Sequence, residues 1–463
     1  MIKFSLRNNY FFYSLLLSIL FLSSFISYDN ISFDLYFNHK YKEYSSYFID
    51  LLKGNGVSNN FTLDSFPIWG YGIIHLLLVT KLNILIFQQF LNFIVIIKVD
   101  HFLVSLKKIK NIIFLRLLMI LSLPYFFFHT QMWPKSISSS LLILSILQLF
   151  YYSRNKKIRH LAFAGLLMGI LSNFRSDYLI FIVFIIPLYF FFFEFYKNKK
   201  NILSSLKILI LPLVTLILLI PWGTHTYSRT NHFLINSTNT GHVLFIGLGQ
   251  LPNNLWGISP RDDDFKMKEI IEDEFGENIS SVSYNSNNIL KKKFLKFILK
   301  NPLEWFKKCF YSLRLVFFDP FYVGNVGDFQ KNGISNINEI RSFENAVYQF
   351  DYYKTLNILN NTKWDFSEKE IFALVITVFT KIIGIAIFFL TITLLLVRLF
   401  KYKFKSLFDS DMNFCKLLIF YQISISIFAF HMPVYNTSIY LIYIILLVLF
   451  FEKTSFNQAI NSN

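Results

Sequence analysis

The chain has 463 residues, enough for two or three soluble domains, yet 54% are hydrophobic, 19% aromatic and only 16% charged. That balance excludes an ordinary soluble protein and points to a chain built for lipid. The net charge of +17 does not indicate nucleic acid, because the basic residues sit between oily runs and not on a soluble face with interleaved base-stacking aromatics.

In chain order, the N-terminus has a basic start, Lys3 and Arg7, followed by an apolar run over 11–27 that reads as a retained first helix in place of a cleaved signal peptide. Further windows able to span a membrane fall at 82–98, 112–128, 134–151, 159–173, 177–195, 204–221, 371–397, 413–430 and 435–451. A shorter one, 66–79, opens "FPIWGYG". Two stretches are too polar to span and too long to be turns, 28–65 and 222–370, and loops on a rigid scaffold are where function concentrates. Within the second, "RDDDFKMKEIIEDEFGENI" (261–279) predicts a capped, solvated acidic helix. The following "LKKKFLKFILKNPLEWFKKCFYSLRLVFF" predicts a basic amphipathic helix at the membrane surface, broken in two at Asn301-Pro302.

The basic connectors "LKKIKN" (106–111), "RNKKIRH" (154–160), "KNKKN" (197–201) and "RLFKYKFK" (398–405) fit the cytoplasmic side. By parity the joints 129–136 and 173–177, with both long loops, then face outward. This holds if 66–79 re-enters or lies at the interface; counting it as a crossing gives eleven spans and reverses the sides of the N-terminus and first loop. The expected architecture is an all-α multispanning membrane protein of about 10–11 transmembrane segments with two outer-face loops. It divides into an N-terminal transmembrane module (1–221), a large outer loop (222–370) and C-terminal transmembrane helices (371–463).

Several residues could carry chemistry. Asp29, Asp34 and Glu43 follow the first span, where a carboxylate can act as general base or hold a divalent cation against a phosphate. Arg175 ends a span and can fork onto a phosphate; alternatively it snorkels or pairs with Asp177. Joint 129–136 offers His129, Trp133 and Lys135. Cys309 and Cys415 lack metal-ligand spacing and read as inert thiols. "GLG" at 247–249 lacks the rest of a phosphate-binding glycine loop, and no Walker, G-x-S-x-G or H-E-x-x-H motif is present.

Together these pieces resemble the GT-C glycosyltransferases, the multispanning enzymes related to protein O-mannosyltransferases and the aminoarabinose transferase of lipid A. The resemblance rests on "YSSYFIDLLKGNG" leading into "FPIWGYGIIHLL", on "PYFFFHTQMWPKSISSSLLILSI", on "GLLMGILSNFRSDYLI" with its arginine, and on "KNPLEWFKKCFYSLRL". Its best-matched part is 221–257, which leaves a span through Pro221-Trp222, passes Arg229 and "STNTGHVLFIGLG", and reaches Trp256-Gly257. The resemblance implies inverting transfer of a sugar from a polyprenyl-phosphate donor to a glycan, lipid or protein acceptor on the outer face of the cytoplasmic membrane. It implies Asp34, Asp29 or Glu43 as base, and Arg175, Lys135 or Arg229 at the donor phosphate. Asn236, Asn239, His242 and Trp133 are expected to contact sugar or acceptor. A divalent cation is the one cofactor with a place in this reading. The alternatives are a polysaccharide polymerase or ligase, and a lipid-linked-sugar flippase or transporter, which would show paired broken helices and midplane ionisable residues.

Overall fold

A computed structural model describes residues 2–28, 69–105, 112–130, 134–198, 206–276, 279–322, 342–343, 346, 351–362, 368–402 and 413–461, some side chains at helix ends excepted. The described residues form helices joined by turns, with no strand among them. In chain order these are α1 (Ile2–Tyr28), α2 (Trp69–Leu78), α3 (Lys81–Ser105), α4 (Ile112–Ile120), α5 (Leu123–His129), α6 (Pro134–Asn155), α7 (Ile158–Phe174) and α8 (Ile186–Asn198). There follow α9 (Ile210–Thr230), α10 (Thr240–Leu248), α11 (Phe265–Phe275), α12 (Tyr284–Lys300), α13 (Pro302–Phe318), α14 (Tyr352–Asn361), α15 (Glu368–Tyr402), α16 (Asn413–Phe428), α17 (Pro433–Thr437) and α18 (Tyr440–Asn461).

Every apolar window of the sequence holds helix among its described residues. Among the described residues four helices are long and apolar enough to cross a membrane: Lys81–Ser105, Pro134–Asn155, Lys207–Ser228 and Val375–Val397. The pair α4 and α5, bent by 47°, makes a fifth if taken as one broken span, and five shorter apolar helices accompany them. The bend sits at Leu121 and Ser122, just before Pro124, which has no N–H to continue the ladder. Helix α2 has ten residues; at about 1.5 Å per residue it covers roughly half the hydrocarbon thickness.

The bundle is organised around the first half of α18. From Tyr440 to Phe450 every residue is buried, as expected of a helix apolar on all sides and enclosed by neighbours. Helices α4, α5, α15 and α16 pack on it. Helix α7 presents Gly165 and Gly169 to α9; a Cβ on Gly165 would lie 2.8 Å from the Leu211 carbonyl, so the small-xxx-small spacing is what lets the backbones approach. Thr215 on α9 uses that closeness to donate to the Gly165 carbonyl at 3.2 Å.

One boundary differs from the sequence reading. Pro221-Trp222 does not end the helix: α9 runs through Pro221 to Thr230 and stops at Asn231, left-handed at φ 58°, whose N–H bonds the Tyr227 carbonyl. Proline is tolerated inside such helices because neighbours can serve the freed backbone groups.

Beyond α9 the chain builds a second core from Phe245, Ile246, Trp256, Met267, Ile271 and Leu290, with others around them. The acidic helix is capped as expected, Asp264 accepting from the Met267 N–H and Gly276 closing the C-terminus, but it buries Met267, Ile270 and Ile271 in this core. Asn301-Pro302 separates α12 from α13. Leu295, Leu299, Leu303, Phe306 and Phe310 form an exposed apolar stripe across that break, with Lys296, Lys300 and Lys307 interspersed. That is the surface of a helix pair suited to a lipid interface.

Candidate functional site

Three joints far apart in sequence meet at one end of the bundle. Arg175 ends α7 in extended conformation, its N–H bonded to the Leu171 carbonyl, and a short 3₁₀ turn, Ser176–Tyr178, follows. Lys135 stands in the first turn of α6, and α17, which carries Tyr435, begins at Pro433. Both cations face the ring of Tyr435: the Lys135 Nζ lies 5.1 Å and the Arg175 Cζ 5.9 Å from its centroid. Each such contact contributes about 0.5–2 kcal/mol, more as water is excluded.

Hydrogen bonds fix this arrangement. Arg175 is buried and forks onto Asp177, its Nε donating to Oδ2 at 2.7 Å and its second nitrogen to the same oxygen. The Tyr421 hydroxyl donates to the Asp177 backbone carbonyl at 2.5 Å. Tyr178 and Ser438 share a hydroxyl pair at 2.7 Å, and Ser139 donates to the Ser438 carbonyl at 2.5 Å. The cluster thus brings the hydrogen-bond donors of two basic side chains together beside one carboxylate. An anion with several oxygens, such as a phosphate, complements that set.

The large loop module is fastened to the same α16–α18 connection. The Gln250 side chain donates to the His431 carbonyl at 2.9 Å and accepts from its N–H at 2.8 Å, in the manner of a strand partner. Lys308 is fully buried and donates to the carbonyls of Ile427 (2.9 Å) and Ala429 (2.7 Å), where α16 leaves acceptors unused by the helix. Burial pushes the Lys308 ammonium down to about 8. The "GLG" stretch is explained here: a Cβ on Gly247 would stand 2.1 Å from the Ala429 carbonyl. It serves close backbone approach and not phosphate binding.

The predicted site residues are placed unevenly. Lys135 and Arg175 come together, and the Arg175–Asp177 pairing weighed from sequence is present. Asn236 is exposed, and the next residue, Ser237, bonds Ser176 through its N–H at 3.3 Å, so this segment lies against the Arg175 joint. Asn239 precedes α10 without a capping side-chain bond. His242 is buried with both ring nitrogens engaged, Nδ1 with Ser281 at 2.9 Å and Nε2 with Asp262 at 3.0 Å. The His242 hydrogen bond holds the Asp262 carboxyl below its ordinary value. Arg229 lies in the last turn of α9, its side chain outside the described residues, as are Trp133, Asp29, Asp34 and Glu43. Among the described residues no three His, Cys, Asp or Glu side chains gather as a metal site.

Tyr435, Tyr178, Tyr421 and Ser438 were not singled out in the sequence. The available signal was "HMPVYNTSIY" (431–440), a proline-led polar interruption between two apolar runs. No protein-family model, no curated protein and no solved structure matches this chain.

Proposed function

We propose that the chain is a GT-C-type membrane glycosyltransferase, moving a sugar from a polyprenyl-phosphate donor to an acceptor on the outer face of the cytoplasmic membrane. The observation that carries this reading is the convergence of Lys135 and Arg175, from separate joints, on one aromatic ring inside an apolar bundle. A charged cluster at that depth has little structural justification, since replacing buried ions by apolar side chains is often neutral or stabilising. A lipid-linked phosphate reaching the bundle end supplies one.

In the proposed reaction a carboxylate of the first loop, Asp34, Asp29 or Glu43, takes the proton of an acceptor hydroxyl. The hydroxyl oxygen attacks the anomeric carbon, the bond from that carbon to the phosphate oxygen breaks, and the configuration inverts. Charge accumulates on the departing phosphate, where Arg175 and Lys135 stabilise it. The exposed apolar stripe of α12 and α13 offers the donor's lipid chain a surface.

Reconstituted protein supplied with polyprenyl-phosphate-hexose and candidate acceptors tests this. Arg175→Met is expected to lower turnover by about 10²–10³, and Lys135→Met by less, because lysine contributes a single point charge. Wild-type turnover in both variants would refute the phosphate site; wild-type turnover in Asp29→Asn, Asp34→Asn and Glu43→Gln alike would refute the first-loop base.

A further inference from the structure

Helix α5 packs against α3 and against α17. On these three elements five uncharged side chains are buried with hydrogen-bonding atoms unused, one of them Tyr125 of α5 through its hydroxyl. Gln89 Nε2, Asn92 Oδ1, both ring nitrogens of His129 and both amide atoms of Asn436 have no hydrogen-bond partner among the described residues. Asn92, His129 and Asn436 are each 0% exposed and Gln89 7%. Their neighbour Gln88 provides the contrast: its amide accepts from the Tyr71 hydroxyl at 3.0 Å and donates to the His129 carbonyl at 3.1 Å.

An apolar bundle tolerates unused polar atoms poorly, because each loses its hydration without a replacement bond. Leucine at these positions would pack more stably. Seven such atoms on α3, α5 and α17 therefore mark a place where a ligand completes the bonding. Their chemistry selects the ligand. Gln89 Nε2 and Asn436 Nδ2 donate, Asn92 Oδ1 and Asn436 Oδ1 accept, and a neutral imidazole does one of each. An anion requires donors alone and a cation acceptors alone, whereas a hydroxyl group both donates and accepts.

We propose that Gln89, Asn92, His129 and Asn436 form a subsite for the hydroxyl groups of a neutral sugar, an inference that rests on reading the Lys135–Arg175 cluster as the donor-phosphate site. The two places adjoin in the fold. His129 and Lys135 flank the same joint, and Asn436 follows Tyr435, whose ring both cations face. None of the four side chains carries a formal charge to pair with an amino or carboxyl group, so an uncharged hexose is preferred over an amino sugar or a uronic acid.

The test uses purified full-length protein in nanodiscs and measures affinity, by ligand-induced thermal stabilisation, for polyprenyl phosphate and polyprenyl-phosphate-glucose. Wild type is expected to bind the glucose-bearing lipid about tenfold more tightly, and Asn92→Leu and Asn436→Leu to bring that ratio close to one while leaving affinity for the bare lipid unchanged. The ligand-free Tm of Asn436→Leu is expected to hold or rise, which an amide kept for structure would not allow; Asn92 Nδ2 also donates to Gln89 Oε1 at 3.5 Å, so the Asn92→Leu variant is read by the affinity ratio. Equal affinities for the two lipids in wild type, or a glucose preference that survives both leucine substitutions, would overturn the subsite. The corresponding 4-amino-sugar lipid binding as tightly as the glucose lipid would overturn its preference for a neutral sugar. The parent reading fails separately: its mark is an affinity for bare polyprenyl phosphate that Arg175→Met does not change.

Discussion

His431 makes the docking of the loop module sensitive to acid. Its Nε2 lies 3.2 Å from the Asp319 backbone carbonyl, and a carbonyl only accepts, so that nitrogen carries the proton. The other nitrogen, Nδ1, is buried with no hydrogen-bond partner among the described residues. Burial brings the imidazole down from 6.5 to about 4, and the nearby Lys308 charge pushes in the same direction against the favourable Asp319 contact. The folded value therefore lies below the unfolded one. Between pH 6.5 and 4 the unfolded chain binds a proton that the folded chain refuses, so stability is full above pH 6.5 and falls through that window. At about 1.4 kcal/mol per pH unit the loss approaches roughly 3 kcal/mol at the acid end. The assay is the apparent Tm of wild type and His431→Gln in detergent at steps from pH 7.5 to 4.5. The variant keeps the Gln250 clamp, which holds the backbone of residue 431. It loses about 1 kcal/mol at neutral pH with the Asp319 bond, but lacks the titrating group, so its curve is expected to cross that of wild type as pH falls. Two curves that decline in parallel would refute the argument, because the acid loss would then originate elsewhere.

Lys308 should act at the alkaline end. With its folded value near 8 and the ordinary one at 10.5, the unfolded chain holds more protons between them. Stability contributed by this group is expected to increase as pH rises through that interval, and Lys308→Met to flatten the trend in the same Tm series. Gly247→Ala would place a Cβ 2.1 Å from the Ala429 carbonyl, backbone against backbone. An overpacking loss of about 1–3 kcal/mol is expected, together with faster hydrogen exchange at the His431 amide. Tyr435→Phe retains the ring both cations face, so polyprenyl phosphate affinity should stay within about twofold of wild type, whereas Tyr435→Ala should weaken it about tenfold by competition binding. Equal losses in the two variants would place the contribution in the hydroxyl.

Much of the fold was legible from hydropathy, because a spanning segment is defined by its own residues. Each apolar window holds helix among its described residues, and the caps Asp264 and Gly276 and the break at Asn301-Pro302 followed from local chemistry. Pro221 misled because its effect depends on neighbours: the rule that proline ends a helix holds in water and weakens inside a bundle. The site was legible only in part. Arg175 and Lys135 stood out as charges beside oily runs. Tyr435, Gln89, Asn92 and Asn436 did not, since an apolar window averages a single polar residue away and the contact that gives it meaning comes from another segment. His242 stood out as a polar residue in a polar loop, yet both its nitrogens serve the module's interior.

The Tyr178–Ser438 hydroxyl pair joins residues 260 positions apart, and that interval is also a time. At about 5–20 residues per second, roughly 13–50 s separate synthesis of the Arg175 joint from synthesis of the connection that completes it. During that wait Arg175 can pair with Asp177, two residues away and made in the same moment. The pair thus gives the arginine a partner during biogenesis, well before Tyr435 arrives to finish the site.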